Sequence, residues 1–179
     1  MSKTVEFITL GGGCFWCLDA VFGHVRGVLS VESGYCNGQQ PYPTYEQVCS
    51  GRTGHVEVVR LGFDPAVVSL RTLLEIFFHI HDPTTLNRQG QDVGTQYRSG
   101  IYFERPQEQA VAISVLEEVQ HELNAKVVTE VLPLSPYFPA EAYHQHYFSK
   151  HPGQGYCTGV IGPKVEKFKK TFADWVRPS

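Results

Sequence analysis

The chain has 179 residues, of which 42% are hydrophobic and 18% charged, and a formal net charge of −3 at pH 7. That length suits a single domain spanning residues 1–179 with ample material for a core, and without any run of five or six like charges there is no electrostatic case for nucleic acid or an anionic membrane. No apolar stretch approaches the roughly 18 residues of a membrane span, and the N-terminal MSKTVEFITLGGG lacks a secretory apolar region, so the expected location is the cytoplasm, where thiols stay reduced.

Thr4–Leu10 reads as a strand ending at Gly11–Gly13, and Cys14–His24 as a helix with Phe15, Leu18 and Phe22 on one side. Val28–Tyr35 is a second strand. Asn37–Gly54 is a Gly-, Pro- and Thr-rich excursion, and His55–Gly62 alternates as a strand. Leu70, Leu73, Leu74, Phe77 and Phe78 form the i, i+3, i+4, i+7, i+8 stripe of an amphipathic helix. Asp82–Arg98 is a polar loop and Gly100–Phe103 a short strand. Pro106 opens a long helix, with Ala112, Val115, Leu116, Val119 and Leu123 on its buried face. Val127–Leu132 is a strand, Pro133–Pro139 breaks it, and AEAYHQHYF reads as a short helix. Pro163–Trp175 is a C-terminal helix. The order β-α-β, long loop, β-α-β, with extra elements behind, predicts an α+β protein: a mixed sheet with helices packed on it, around a ferredoxin-like split βαβ core, plus a C-terminal extension. The Gly-rich segment 150–162 is expected to be mobile.

Five cysteines are present: Cys14, Cys17, Cys36, Cys49 and Cys157. An odd number argues against a static disulfide framework. Cys14 follows three glycines at the start of a predicted helix. There, unpaired N–H groups and about half a unit of positive charge favour thiolate, and the glycines let a substrate come close to the backbone. Cys14 is thus a nucleophile candidate, although a small buried hydrophobe is the plainer reading. Phe15 and Trp16 are either core or an apolar wall for a methyl or thioether group beside the thiol. Cys17 lies one turn on, with a Cβ about 5–6 Å from that of Cys14, so geometry leaves a dithiol pair open. Strand, C-x-x-C, helix is also the thioredoxin context, but no proline stands between these cysteines and the motif sits at the first strand.

Read together with three later stretches, the motif becomes specific. GGGCFWCLDAVF (11–22), PTYEQVCSGRTGHVEVV (43–59), HDPTTLNRQGQDVGTQYRSGIYF (81–103) and AEAYHQHYF (140–148) resemble, in order and spacing, the peptide methionine sulfoxide reductase A family, with similarity over most of residues 5–168. Cys17 stands where that family often has Gly, and Asp19 where it often has Glu. The resemblance implies a two-layer α/β sandwich and an enzyme that returns the S epimer of methionine sulfoxide, free or in proteins, to methionine, repairing oxidative damage. It implies that Cys14 attacks the sulfoxide sulfur while Phe15 and Trp16 hold the methyl group. Glu57, Tyr45 and Tyr97 match residues around the sulfoxide oxygen, and Asp92 a further acidic residue of the pocket. No bound cofactor or metal is implied, and electrons come from thioredoxin, or from dithiothreitol in vitro.

The residue types suit that chemistry. Breaking S=O turns the oxygen into a leaving group that must take up protons. A buried Glu has a raised pKa and keeps a proton to give near neutral pH, and phenols are neutral donors. By spacing alone Glu57 would be a solvated strand residue, Tyr45 and Tyr97 loop packing, and Asp92 a turn former. After the attack Cys14 is a sulfenic acid, which a second thiol can close to a disulfide. Cys157, flanked by Gly153, Gly155 and Gly159, is expected to do so rather than Cys17, which is held one turn into a helix. Cys49 reads as structural, and Cys36 is left unassigned. Three rivals stand beside this reading. A metal-binding module could use Cys14, Cys17, His79, His81, His144 and His146, yet no second C-x-x-C follows and the His spacing is not that of a finger. A general thiol-disulfide oxidoreductase would not need Glu57, and a Cys/His hydrolase would also use an activated thiol.

Overall fold

In the computed structural model, which describes residues 4–151 and 153–178, the chain runs β1 (Glu6–Gly11), α1 (Phe15–Phe22), β2 (Val28–Cys36), α2 (Tyr45–Cys49), β3 (Val56–Phe63) and α3 (Leu70–Ile80). Two short strands follow, β4 (Arg88–Gln89) and β5 (Asp92–Val93), then β6 (Gly100–Phe103), α4 (Pro106–Glu122), β7 (Glu130–Pro133), β8 (Tyr137–Pro139), α5 (Tyr147–Lys150) and α6 (Gly162–Thr171). The main sheet has the order β7-β6-β1-β3-β2-β8. β1 is antiparallel to β3 and β6, and β2 is antiparallel to β3. The units β1-α1-β2 and β3-α3-β6 therefore interlock, each with a strand of the other between its own two, which is the predicted split βαβ core. β7 adds in parallel beside β6, and β8 antiparallel beside β2, so the sheet is mixed and mostly antiparallel.

Strand β3 is central and buried on both faces, not half-exposed as alternation suggests. Val59, Leu61 and Phe63 point into the main core with α1, α3 and α6. Val56 and Val58 join Cys36 and Tyr102 in a second, smaller cluster on the other face, packed against Leu134 and Tyr137. Side chains two apart share a face, so Glu57 falls in the row of Val59, Leu61 and Phe63, where it is only 1% exposed. α1 is buried on nearly all sides, with Trp16 alone half-buried. It lies between the sheet, α5, α6 and the turn that precedes α6.

Several loops carry more structure than expected. α2 lies inside the 37–54 excursion and starts with a capping box: Thr44 Oγ1 accepts from the Gln47 N–H at 3.2 Å, and Gln47 Oε1 from the Thr44 N–H at 2.9 Å. The polar loop 82–98 holds the β4–β5 ladder, turned at Gly90 with φ 58°, and a 3-10 turn at Thr95–Tyr97. Strand β8 lies within the proline-bounded 133–139 segment. The strand expected from Val127 begins at Glu130, and Leu123 is 38% exposed because α4 ends one residue before it. Within 150–162, Pro152 lies outside the described residues, while Cys157–Ile161 forms a wide π turn that runs directly into α6. Among the described residues no helix is long and apolar enough to cross a membrane.

Candidate active site

The chain leaves β1 through Gly12 and Gly13. A Cβ on Gly13, whose φ is 88°, would come within 2.8 Å of Gln89, and one on Gly12 within 3.0 Å of the His81 ring. The loop thus lies close against the 81–98 segment, and the Gly13 N–H donates to the Tyr97 carbonyl at 3.2 Å. Cys14 is the extended N-cap residue of α1, and it is 8% exposed. Burial pushes its thiol well above the ordinary range, a hydrogen bond with Cys17 and the charge of Glu57 add to this, and the Trp16 N–H pulls the other way. The helix-end effect expected from the sequence is thus present but outweighed, and the resting group is a thiol. Cys17, also buried, is lowered, first by the hydrogen bond with Cys14 and then, against burial, by Lys164 and the Tyr156 hydroxyl.

Glu57 enters the same site from β3. Its Oε1 accepts from the Phe15 N–H at 3.2 Å, while its buried Oε2 has no partner. Burial raises its pKa to about 8, helped by Asp92 and Cys17 and opposed by the Phe15 N–H. Glu57 therefore keeps its proton near neutral pH. Tyr45, the first residue of α2, and Tyr97, at the end of its 3-10 turn, are both raised by burial and then by Glu57, with Cys14 among the further causes. Thiol, carboxylic acid and two phenols thus share one electrostatic neighbourhood. Asp92 on β5 accepts from the Tyr156 hydroxyl at 2.7 Å, and that hydroxyl lies 3.8 Å from Cys17 Sγ.

Phe15 is fully buried, with ring centroids 5.7 Å from Tyr35 and 6.3 Å from Tyr45, so it is floor rather than exposed wall. Trp16 is the half-buried aromatic beside it. Its Nε1–H donates to His144 Nδ1 at 3.1 Å, and Tyr147 lies parallel on the indole at 3.8 Å. Glu141 ties this side together, accepting from the Tyr35 hydroxyl at 2.8 Å and the Tyr45 N–H at 3.0 Å. A cleft of about 860 Å³ lies between α3, α4 and α6 and is lined by none of these catalytic candidates.

The family model described as peptide methionine sulfoxide reductase matches residues 6–176. The chain belongs to the peptide methionine sulfoxide reductase family. It is 52% identical over 173 residues to the peptide methionine sulfoxide reductase MsrA of Saccharolobus solfataricus, covering 97% of this chain and 98% of that one. To the MsrA of Nautilia profundicola it is 57% identical over 160 residues, covering 89% and 92%. Among solved structures, methionine sulfoxide reductase A of Corynebacterium diphtheriae matches with a TM-score of 0.82 and 38% identity over 87% of this chain and 78% of that one. Reduced Mxr1 from Saccharomyces cerevisiae matches with a TM-score of 0.80 and 36% identity, covering 87% and 90%. Mxr1 has also been solved in complex with Trx2.

In this sulfoxide reductase the remaining cysteines separate clearly. Cys157, the first residue of the π turn, is fully buried, and its thiol is raised by burial and then by Cys17. Cys36 is in the cluster on the opposite face of the sheet. Cys49 is exposed, and its thiol hydrogen-bonds with Tyr45, so it is not a core cysteine. His81 is buried, hydrogen-bonded to Ser99 Oγ at 2.8 Å and lowered to about 4 by burial. Among the described residues no three His, Cys, Asp or Glu side chains gather as a metal site would require. Tyr35, Glu141, His144, Tyr147 and Tyr156 belong to the site's surroundings and carry no role in the site from the sequence alone, although Glu141, His144 and Tyr147 lie in the family-matching stretch AEAYHQHYF.

Proposed function

We propose that the enzyme reduces the S epimer of methionine sulfoxide, free or in oxidised proteins, by attack of Cys14 on the sulfoxide sulfur, with Glu57 as proton donor. The observation that carries this reading is Glu57 itself: a carboxyl group with a pKa of about 8 and an unpartnered Oε2, in the same neighbourhood as a thiol and two phenols. The methyl group would lie against Trp16 over the Phe15 floor. The oxygen would take the Glu57 proton and hydrogen bonds from Tyr45 and Tyr97. A Cys14–sulfur bond forms, the oxygen passes to Cys14 as a sulfenic acid, methionine leaves, and the proton given up by the Cys14 thiol restores Glu57. Asp92 fixes Tyr156 and supplies negative charge that helps Glu57 keep its proton.

The placement of the thiols supports one route of recycling. Cys17 lies one turn from Cys14, and its thiol is lowered where that of Cys14 is raised. Its thiolate attacks the sulfenic sulfur and expels hydroxide, which leaves as water. Cys157, whose thiol senses Cys17, then takes over the bond, frees Cys14 and leaves a Cys17–Cys157 disulfide. Cys17 thus takes the first resolving step that the sequence reading gave to Cys157, and Cys157 acts second. A dithiol donor of thioredoxin type reduces that disulfide, a reading supported by the complex of the relative Mxr1 with Trx2. The cycle balances with thiols alone and suits a reducing compartment such as the cytoplasm. The test is to give each pure epimer of methionine sulfoxide with dithiothreitol and measure methionine. Turnover of the S epimer alone is expected. No methionine, or equal turnover of both epimers, would overturn the proposal.

A further inference from the structure

Asp19 sits three residues after Trp16 on α1, so the two side chains emerge on neighbouring positions of one helix face. It is a buried carboxylate, 4% exposed. What it holds is the start of α5. His146 Nδ1, at the entry to that turn, lies 3.4 Å from its Oδ1. His146 is in the left-handed region, with φ 55° and ψ 41°. A non-glycine residue stays there when its surroundings hold it. α5 itself is a single turn, too short to persist on its own. Tyr147, its first residue, nevertheless lies on the Trp16 indole with a centroid separation of 3.8 Å and an interplanar angle of 7°. The indole N–H is already committed to His144. Tyr147 therefore covers one indole face and His144 one edge, and only the remainder is open to a substrate.

A buried charge is a costly way to fill space, and an apolar side chain would serve packing as well. We infer that Asp19 is a positioning residue: from the turn of α1 beside Trp16 it pairs with His146 at the entry to α5, holds Tyr147 flat on the indole, and so fixes the shape of the wall that meets the sulfoxide's methyl group. This rests on the reading of Trp16 as the methyl contact. A cleft of about 180 Å³ lined by Asp19, Gly23, His24 and His146 adjoins the carboxylate, so a side chain longer by one methylene has room there.

The test uses the full chain with Trp175→Phe, which leaves Trp16 as the single tryptophan. In that background Asp19→Asn is expected to raise KM for methionine sulfoxide about fivefold or more, with the rate of methionine formation at saturation within about twofold, the pattern of lost uniform binding. Discrimination between methionine sulfoxide and its ethyl homologue should fall severalfold, since shape selection in an apolar pocket is lost with the wall. Trp16 emission should shift as Tyr147 leaves the indole. Asp19→Glu should restore all three. A residue that serves folding alone would lower the melting temperature without moving KM or the methyl-to-ethyl ratio. A folded Asp19→Asn enzyme with wild-type KM and discrimination overturns the inference, whether or not the emission shifts. Should Asp19→Asn not fold, Tyr147→Ala decides: unchanged KM and discrimination there also overturn it. Failure of the underlying functional reading looks different, because the unmutated enzyme would then make no methionine at all.

Discussion

Replacing Glu57 by Gln removes one proton from the site and little else. The Gln carbonyl oxygen can keep the bond from the Phe15 N–H, at 3.2 Å in the wild type, and the amide nitrogen takes the place of an Oε2 that has no partner. With a pKa of about 8, the carboxyl group is about nine-tenths protonated at pH 7, against roughly one part in 300 at the ordinary value. The variant loses that acid, so methionine formation in a single turnover should slow by about 10²–10⁴-fold, with substrate affinity little changed. Stability carries the opposite sign. The folded pKa lies above the unfolded one, so the native state holds an extra proton between about pH 4.5 and 8. The carboxyl group therefore weakens the fold progressively as pH rises through that window, by up to about 5 kcal/mol above it. Gln does not titrate. The variant should match the wild type near pH 5 and exceed it by a few kcal/mol at pH 9. Rapid-quench assays for methionine and urea unfolding at the two pH values read both effects. A single-turnover rate within a factor of a few of the wild type refutes the acid role, and an identical pH dependence of stability in both proteins refutes the buried proton.

Cys14→Ser should fold normally and make no methionine, because an alcohol is a poor nucleophile toward sulfur at pH 7; substantial methionine from this variant would remove Cys14 from the mechanism. A racemic sulfoxide should be consumed to about half and stop, since methyl, oxygen and peptide each meet a separate wall; chiral chromatography of the remainder should find the R epimer alone. Cys157→Ser should make about one methionine per chain and then stall with thioredoxin, leaving a Cys14–Cys17 disulfide in peptide mapping. Cys17→Ser should close a disulfide much more slowly than the wild type; a Cys14–Cys157 bond formed there at the wild-type rate would show that Cys17 is not on the path.

The interlocked βαβ units were legible because their strands and the α3 stripe have clear periods. The TYEQ capping box of α2 carried a local signal as well, but the Gly and Pro around it outweighed it. β4 and β5 are too short to show a period. Alternation in VEVVRLGF puts Glu57 on a solvated face, and it is the central place of the strand, covered on both faces, that buries this one acidic residue. The ionisation of Cys14 was not legible. A helix end acts locally and is visible in sequence, whereas the burial that overrides it depends on how the chain packs around α1, including α5, α6 and the turn at Cys157, more than a hundred residues away. The same distance hid the placement of Cys157 near Cys17, and the partners of Trp16. Asp92 could be read as acidic and close to a turn, but its bond to Tyr156 depends on how the C-terminal segment folds back.

Transfer of the sulfoxide oxygen to Cys14, with Glu57 supplying the proton, can be followed in a single turnover. Fully reduced enzyme is mixed with one equivalent of the S epimer and no reductant, then quenched, with methionine and free thiols counted and the oxidised cysteines mapped. About one methionine per chain is expected, with the loss of about two thiols, all among Cys14, Cys17 and Cys157. No methionine, or methionine formed while these three thiols stay reduced, would contradict it.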